Sequence, residues 1–490
     1  MKTSTTITLI YPSLLSFAAI FITSLAAKSA ITPERLLKGF TASPNPTVTD
    51  FQPLLSDSTG NFSLSFIRVN SDRLALGVVH IPSGESLWRA KMGGLARWGD
   101  PTKLVFNGSL VIGDYDSGVF WSTKTDGDRA VLASSSNLRV LNGEKSPTHL
   151  WQSFDFPSDT LVENQNFTSA MSLTSLNGLY TMRLGPDFVG LYAKFKSTSS
   201  GPDQNYYKRR ALEARKDIIE GAGPILVRIS SDGYMGIYQN GSTPADVETF
   251  NSYRRSIPGP RRVRIENDGN LKAYYWSRSS WVLDYKAITE TCELPSSCGP
   301  YGLCRPGAGC SCLNNQTDAQ NKECYLTQEV GDLCARGSKK FSELRRTGVE
   351  PPFKELMAHI ETTSYEECEK SCLMNCTCWG VLYNNASKFC YNVDYPIQTI
   401  LEVGHENKMG YFKILEGAKK KKDRRLGIGI GLLCGAFVVI GLVIGFGVYK
   451  ICNKKKRATN RILEEENIYT SGHYKDLGSS SSGSIELSSR

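Results

Sequence analysis

Twelve of the chain's 14 cysteines lie between Cys292 and Cys390, and the 291 residues before that stretch contain none. So dense and even a block implies an oxidising compartment and a disulfide framework. The two remaining cysteines, Cys434 and Cys452, sit in and just after a long apolar run. The cysteine-free part must therefore build its own cores, and the block lies between it and a membrane-proximal end. At 490 residues the chain is too long for one core, so several domains are expected.

The flanks fit that compartment. Residues 1–27 read as a secretory signal: Lys2, then the mostly apolar Leu9–Leu25, then the small residues Ala26 and Ala27. Leu426–Tyr449 has no charge over 24 residues, long enough to span a bilayer with some tilt. Seven N-x-S/T sequons, at Asn61, Asn107, Asn166, Asn240, Asn315, Asn375 and Asn385, all fall between the two apolar runs, the part that would meet the glycosylation machinery. Six basic residues flank the span on each side, so charge counting does not orient it. The signal, sequons and disulfides do, giving a single-pass type I plasma-membrane protein with an extracellular N-terminus and a cytosolic tail over 450–490.

Charge excludes one class of partner. The net charge is +9, of which Lys419–Arg425 carries +5 and Lys450–Arg490 carries +3, leaving +1 over residues 1–418. The basic excess flanks the apolar run, where it would meet lipid head groups. No basic stripe crosses the folded part, and no nucleic-acid partner is expected. Gly427, Gly431 and Gly435, and then Gly441 and Gly445, recur at i+4. Such stripes allow close helix approach and hence homo- or heterodimers, although glycine is common in membrane helices anyway. Cys452 is placed for palmitoylation. The Ser-rich tail with Tyr469 and Tyr474 reads as a disordered linker open to phosphorylation.

Residues 28–290 read as β-structure. Short alternating runs such as Leu74–Val79, Leu104–Val111 and Val119–Trp121 are bounded by Gly, Asn, Asp and Ser. Turn dipeptides recur at 107–108, 126–127, 142–143, 232–233 and 268–269. One helix is predicted over Arg210–Ile219. A repeated polar-turn-then-strand pattern points to two β-modules of similar build, joining near Asn166–Gly178.

Within the block, Cys292, Cys298, Cys304, Cys310, Cys312 and Cys324 are separated by short Gly/Pro-rich loops. Such a segment cannot bury enough apolar area alone, so cross-links must replace a core. Spacing alone leaves their pairing open. In the second group of six, Ser364-Tyr365-Glu366-Glu367 fits a capping box opening a helix to about Leu373. That helix places Cys368 and Cys372 on one face. A zinc site competes for these thiolates, but paired C-x2-C units are lacking and the compartment is oxidising. Redox catalysis would want a C-x-x-C motif, and none occurs. No metal and no cofactor are expected.

Three motifs carry a resemblance. Trp151-Gln152-Ser153-Phe154-Asp155-Phe156-Pro157-Ser158-Asp159-Thr160-Leu161 resembles the hallmark of bulb-type (G-type) lectin domains in plant S-domain receptor-like proteins. Cys298-Gly299-Pro300-Tyr301-Gly302-Leu303-Cys304 resembles the start of their EGF-like module, and Cys368-x3-Cys372-x3-Cys376-x-Cys378 resembles their PAN/apple module. The resemblance implies a mostly β ectodomain: a bulb-type lectin-like domain over 28–165, a second lectin-like or S-locus-glycoprotein-like domain over 166–290, an EGF-like module over 291–325 and an α+β PAN/apple module over 334–415. A transmembrane helix over 426–449 follows. It also implies the disulfides Cys292–Cys304, Cys298–Cys310 and Cys312–Cys324, then Cys368–Cys390 and Cys372–Cys378. With those assigned, Cys334 and Cys376 remain as the last pair. On this reading the block is a stapled stalk between the lectin modules and the membrane.

The family's mannose motif, Q-x-D-x-N-x-V-x-Y, sets its polar ligands on one strand face. Here the first module has lost them. The best match is Glu266-x-Asp268-x-Asn270-x-Lys272-x-Tyr274, so Glu266, Asp268, Asn270 and Tyr274 are the candidate ligand-binding residues. The same residues also read as a simple turn feeding an exposed strand. Catalysis finds no support: Asp116-Ser117-Gly118 lacks the second triplet an aspartic protease needs, the five histidines are scattered, and the 41 residues after Tyr449 hold no kinase motif. The expectation is a non-enzymatic, kinase-less receptor-like glycoprotein. It would bind an extracellular protein, peptide or glycan and act through a partner receptor kinase. The alternative is a membrane-anchored lectin that recognises wall or microbial glycans without signalling.

Overall fold

The computed structural model describes residues 32–99, 101–144, 147–195, 203–210, 224–239, 241–313, 324, 333–334, 341–415, 441–451 and 453–455. The chain divides into two units, 1–416 and 417–490. The signal over 1–27, the sequons Asn240 and Asn315, Cys434, Cys452, the first part of the span and the tail beyond 455 lie outside the described residues, as does the helix expected over Arg210–Ile219 apart from Arg210, which ends the strand Gln204–Arg210. In the second unit residues 441–451 are helical. No helix among the described residues is long and apolar enough to cross a membrane.

The first unit is mostly β-structure, as the alternating runs require. Three antiparallel sheets use residues 35–152. One orders Arg35–Leu37, Arg129–Leu132, Leu138–Asn142 and Thr148–Gln152; the next orders Gly118–Ser122, Leu110–Asp114, Thr102–Phe106 and Phe40–Ala42. The third orders Phe51–Ser56, Phe62–Arg68, Arg73–His80 and Glu85–Arg89, with Ala96–Arg97 pairing on Arg73–His80. All three send residues into one core, among them Phe66, Leu104 and Val140. Each sheet also contributes one tryptophan to a triangle: Trp88, Trp121 and Trp151 lie 5.7–5.9 Å apart, edge to face. Trp151 stacks on Phe156 at 5.8 Å, and the Trp88 indole donates to the Phe156 carbonyl at 2.7 Å. The Trp151 motif is thus the buckle of the three sheets. Edge-to-face aromatic pairs of this kind stabilise by about 0.5–1.5 kcal/mol beyond their buried area.

A second set of three sheets follows. Thr160–Val162, Arg261–Ile265, Leu271–Trp276 and Trp281–Lys286 form one. Phe167–Thr168, Leu226–Ser230, Tyr234–Tyr238 and Asp246–Thr249 form another. Leu173–Thr174, Tyr180–Leu184, Phe188–Ala193 and Gln204–Arg210 complete the set. Thr160–Val162 crosses over from the sequence motif of the first set to pair with Arg261–Ile265.

The cysteine block is not a separate stalk. Gly302–Arg305 pairs antiparallel with Gly309–Cys312 and parallel with Ile400–Glu402, which in turn pairs with Val349–Glu350. One sheet therefore spans both halves of the block. The core that holds Val227 and Ile265 of the second set continues without a break through Leu294, Leu303, Val349 and Phe412. Gly302 shows why the sequence needs glycine there, since a Cβ would sit 2.4 Å from the Cys298 carbonyl oxygen. The last sheet orders Phe341–Thr347, Lys408–Leu415, Gly380–Asn384, Phe389–Val393 and His359–Glu361, and helix Tyr365–Leu373 packs on it. Ser364 caps that helix by accepting from the Glu367 backbone N–H, while the Glu367 carboxylate turns to Thr363 instead of closing the box. The structure joins Cys292–Cys304, Cys298–Cys310, Cys312–Cys324, Cys334–Cys376, Cys368–Cys390 and Cys372–Cys378.

Candidate functional site

Strand alternation divides Arg261–Ile265 into two faces. Val263 and Ile265 enter the core, and Arg262 and Arg264 face the first three-sheet set. Cross-strand pairing sets Tyr274 opposite Arg262 and Lys272 opposite Arg264. Glu85 of the first set reaches across: its Oε2 accepts from Arg262 at 2.7 Å and from Arg264 at 3.0 Å, while Arg264 also donates to the Ser86 carbonyl. The Arg262 side chain is 3% exposed. Its guanidinium lies 4.0 Å from the Trp281 ring centroid and 5.2 Å from that of Tyr274. His80 completes the junction, 4.8 Å from Trp276 and 5.3 Å from Trp281.

Burial sets the charge states here. It pushes Arg262 down to about 10, with Arg264 adding to the fall and Glu85 opposing it. Burial also lowers His80 to about 4, helped by Arg262. Burial works against ionisation of Glu85, but the two guanidiniums outweigh it and hold the carboxyl below its usual range. The arrangement is a charged and aromatic staple between two β-modules.

The four candidate ligand residues do not form one constellation. The Tyr274 hydroxyl donates to Glu266 Oε1 at 2.7 Å, beside the staple. Asp268 accepts from Lys272 Nζ at 2.6 Å and from the Asn270 backbone N–H at 2.8 Å. Asn270 is buried, donating to the Ile288 carbonyl at 2.7 Å and accepting from the Ile288 N–H at 3.0 Å. Its buried side chain holds both the N–H and the carbonyl of Ile288 and so serves first to close the strand. Gly269, at φ +85°, supplies the left-handed step of that turn.

A roomier place exists. A cleft of about 980 Å³ lies between the sheet containing Tyr180–Leu184 and the helix-bearing module, the kind of inter-domain location where ligands commonly bind. Thr181, Lys194 and Asn205 line one wall, and His359, Asn375 and Asn392 line the other. Phe195 and Tyr395, with ring centroids 4.8 Å apart, line it too. Amides, a hydroxyl, an ammonium group and aromatic faces suit sugars and peptides alike. Sequence reading missed both this cleft and the staple. The alternating Arg262, Arg264 and Glu266 were a legible sign of a charged outer strand face. The cleft had no local sign, because its walls are more than 150 residues apart in the chain.

Of the described sequon residues, Asn61, Asn107, Asn166, Asn375 and Asn385 are all exposed. The described cysteines are engaged in the six disulfides.

Comparison with known proteins agrees with this architecture. Residues 99–180 match the family described as D-mannose binding lectin, and residues 236–317 match the S-locus glycoprotein domain. The PAN domain-containing protein At5g03700 of Arabidopsis thaliana is 50% identical over 457 residues, covering 93% of this chain and 92% of that one. EP1-like glycoprotein 4 of Arabidopsis thaliana is 24% identical, covering 77% of this chain and 88% of its own. The G-type lectin S-receptor-like serine/threonine-protein kinase At5g24080 of Arabidopsis thaliana is 26% identical and covers 78% of this chain, which spans 48% of that kinase. With half its residues identical over nearly the full length of a PAN-domain relative, and with lectin and S-locus profiles in series, this chain belongs to the plant S-domain receptor-like family.

Proposed function

We propose that this protein is a receptor-like cell-surface glycoprotein that binds an extracellular protein, peptide or glycan and acts through partner proteins, a receptor kinase among them. The observation that carries the reading is the 980 Å³ cleft between the second lectin-like module and the PAN-like module. Its lining mixes apolar and aromatic side chains such as Leu356, Met357 and Phe195 with polar groups that could orient a ligand. The uncharged run 426–449 and the basic residues on either side of it support a single-pass plasma-membrane placement with lipid contact. Residues 28–165, 166–290, 291–325 and 334–415 would serve as its four extracellular modules.

The test is a ligand screen with the full-length chain in nanodiscs against glycan and peptide arrays. Asn392→Ala and Lys194→Ala should each weaken the captured ligand's binding. Co-purification from plant membranes of a receptor kinase, lost on deleting residues 419–490, completes it. A ligand whose binding ignores both cleft variants would sink the cleft as the site.

A second reading, a membrane-anchored lectin that does not signal, draws on the match of residues 99–180 to the D-mannose binding lectin family. It expects glycan binding with no kinase recovered.

A further inference from the structure

A second cleft, about 550 Å³ in volume, opens where the two lectin-like modules meet. Asn61, Ser134 and Ser135 line it from the first module, Asn164 lines it from the connecting segment, and Pro258 and Arg278 line it from the second. Asn61 opens the sequon Asn61-Phe62-Ser63. Its side chain is exposed, yet it forms part of the cleft wall. A sugar ring attached to its amide nitrogen would begin its path at the mouth of this cleft.

We propose that the N-glycan on Asn61 folds back into this cleft and bridges the two modules as an internal ligand. The inference rests on the sequon at Asn61 being modified and goes beyond the ligand cleft described above. The lining has the chemistry a sugar chain needs. Ser134 and Ser135 offer hydroxyls, Asn164 an amide and Arg278 a guanidinium for the ring oxygens and the acetamido groups. Pro258 offers apolar surface for the C–H face of a pyranose. Several hydrogen bonds shared across both walls would add to the Glu85–Arg262 staple, and the covalent tether removes most of the entropic cost of association. By contrast, Asn107 and Asn385 line neither cleft, so their glycans extend into solvent.

The experiment is native-state trimming of the full-length glycoprotein by an endoglycosidase, followed by glycopeptide mass spectrometry at each site. The expected result is an occupied Asn61 whose glycan is cut at least about tenfold more slowly than those at Asn107 and Asn385, because release requires the junction to open. Equal cutting rates at an occupied Asn61 overturn the docking. An unmodified Asn61 overturns it too, and that outcome is distinguishable because it removes the glycan itself. Ser135→Tyr, at an exposed position, places a bulky ring at the cleft wall while leaving the sequon intact. It should bring the Asn61 cutting rate up to that of Asn107, and protection that survives it overturns the cleft as the dock.

Discussion

Arg262 donates a 2.7 Å hydrogen bond to Glu85, 177 positions earlier in the chain. The guanidinium is buried under Trp281, while the Glu85 side chain is 41% exposed. The pair is therefore asymmetric: removing the carboxylate strands a desolvated cation. Glu85→Ala should lower the first thermal transition of the ectodomain by an amount equal to about 1–3 kcal/mol, below the full cost of breaking a wholly buried pair because Glu85 meets solvent. Removing both charges in Glu85→Ala/Arg262→Met should restore most of it. Calorimetry on the three proteins decides, and a Glu85→Ala protein as stable as wild type would show that the staple is decorative.

The same junction makes stability pH-dependent. His80 has a folded pKa of about 4, below its unfolded value of 6.5, so the unfolded chain takes up the proton first. The stabilisation is complete above pH 6.5 and is lost as pH falls toward 4. Glu85, held below its usual 4.5, adds a loss of the same sign at the acid end. Screening through the neighbouring cleft limits the His80 share to about 2 kcal/mol. Denaturant melts at pH 7 and pH 4.5 should show the fall, and His80→Gln should flatten it. A slope unchanged in that variant would place the proton uptake elsewhere.

Local chemistry carried much of this architecture in readable form. The Trp151 motif signalled a lectin-like module through its resemblance to a family hallmark, and the structure shows its aromatic residues buckling three sheets together. The alternating runs and Asn-Gly or Asp-Gly turns signalled sheets because strand period and turn geometry are local. The Ser364–Glu367 capping-box pattern signalled the short helix for the same reason, and Ser364 does cap it. Relations between distant segments were not readable. Nothing near Gly302–Arg305 announces that it will pair in parallel with Ile400–Glu402, and nothing near Asn270 announces that Ile288 will claim both ends of its amide. A lectin-like pattern on one strand therefore read as a binding face, although its central amide closes the backbone.

Asn270 gives a direct way to separate fold from binding. Asn270→Ala leaves the Ile288 carbonyl and N–H buried without a partner and should cost about 1–3 kcal/mol. Ligand binding measured well below the melting temperature should be unchanged. Asn392→Ala, at an exposed position on the cleft wall, should do the reverse: weaker binding and an unchanged melting temperature. Binding lost in a fully folded Asn270→Ala protein would return the site to the strand, with Glu266 and Tyr274 as the next variants to make.

The Cys292–Cys304 bridge tests whether the cysteine block is a string of modules or one fused body. Its cysteines are 12 residues apart, and Cys304 lies on the strand that pairs with both Gly309–Cys312 and Ile400–Glu402. The block is fused further by the Thr399 hydroxyl accepting from the Cys298 N–H at 2.8 Å and by the Tyr301 hydroxyl donating to the Lys413 carbonyl at 2.8 Å. Cys292→Ser/Cys304→Ser should cost about 2–4 kcal/mol in loop-closure terms. The loss should spread along the shared sheet, with hydrogen exchange accelerating at Ile400–Glu402 and Val349–Glu350 as well as at Gly302–Arg305. In independent modules the faster exchange would stop at Cys312. Unchanged protection at Ile400–Glu402 in the double variant would therefore refute the fused sheet, while its loss would show that reducing this bridge loosens the module carrying the far wall of the 980 Å³ cleft.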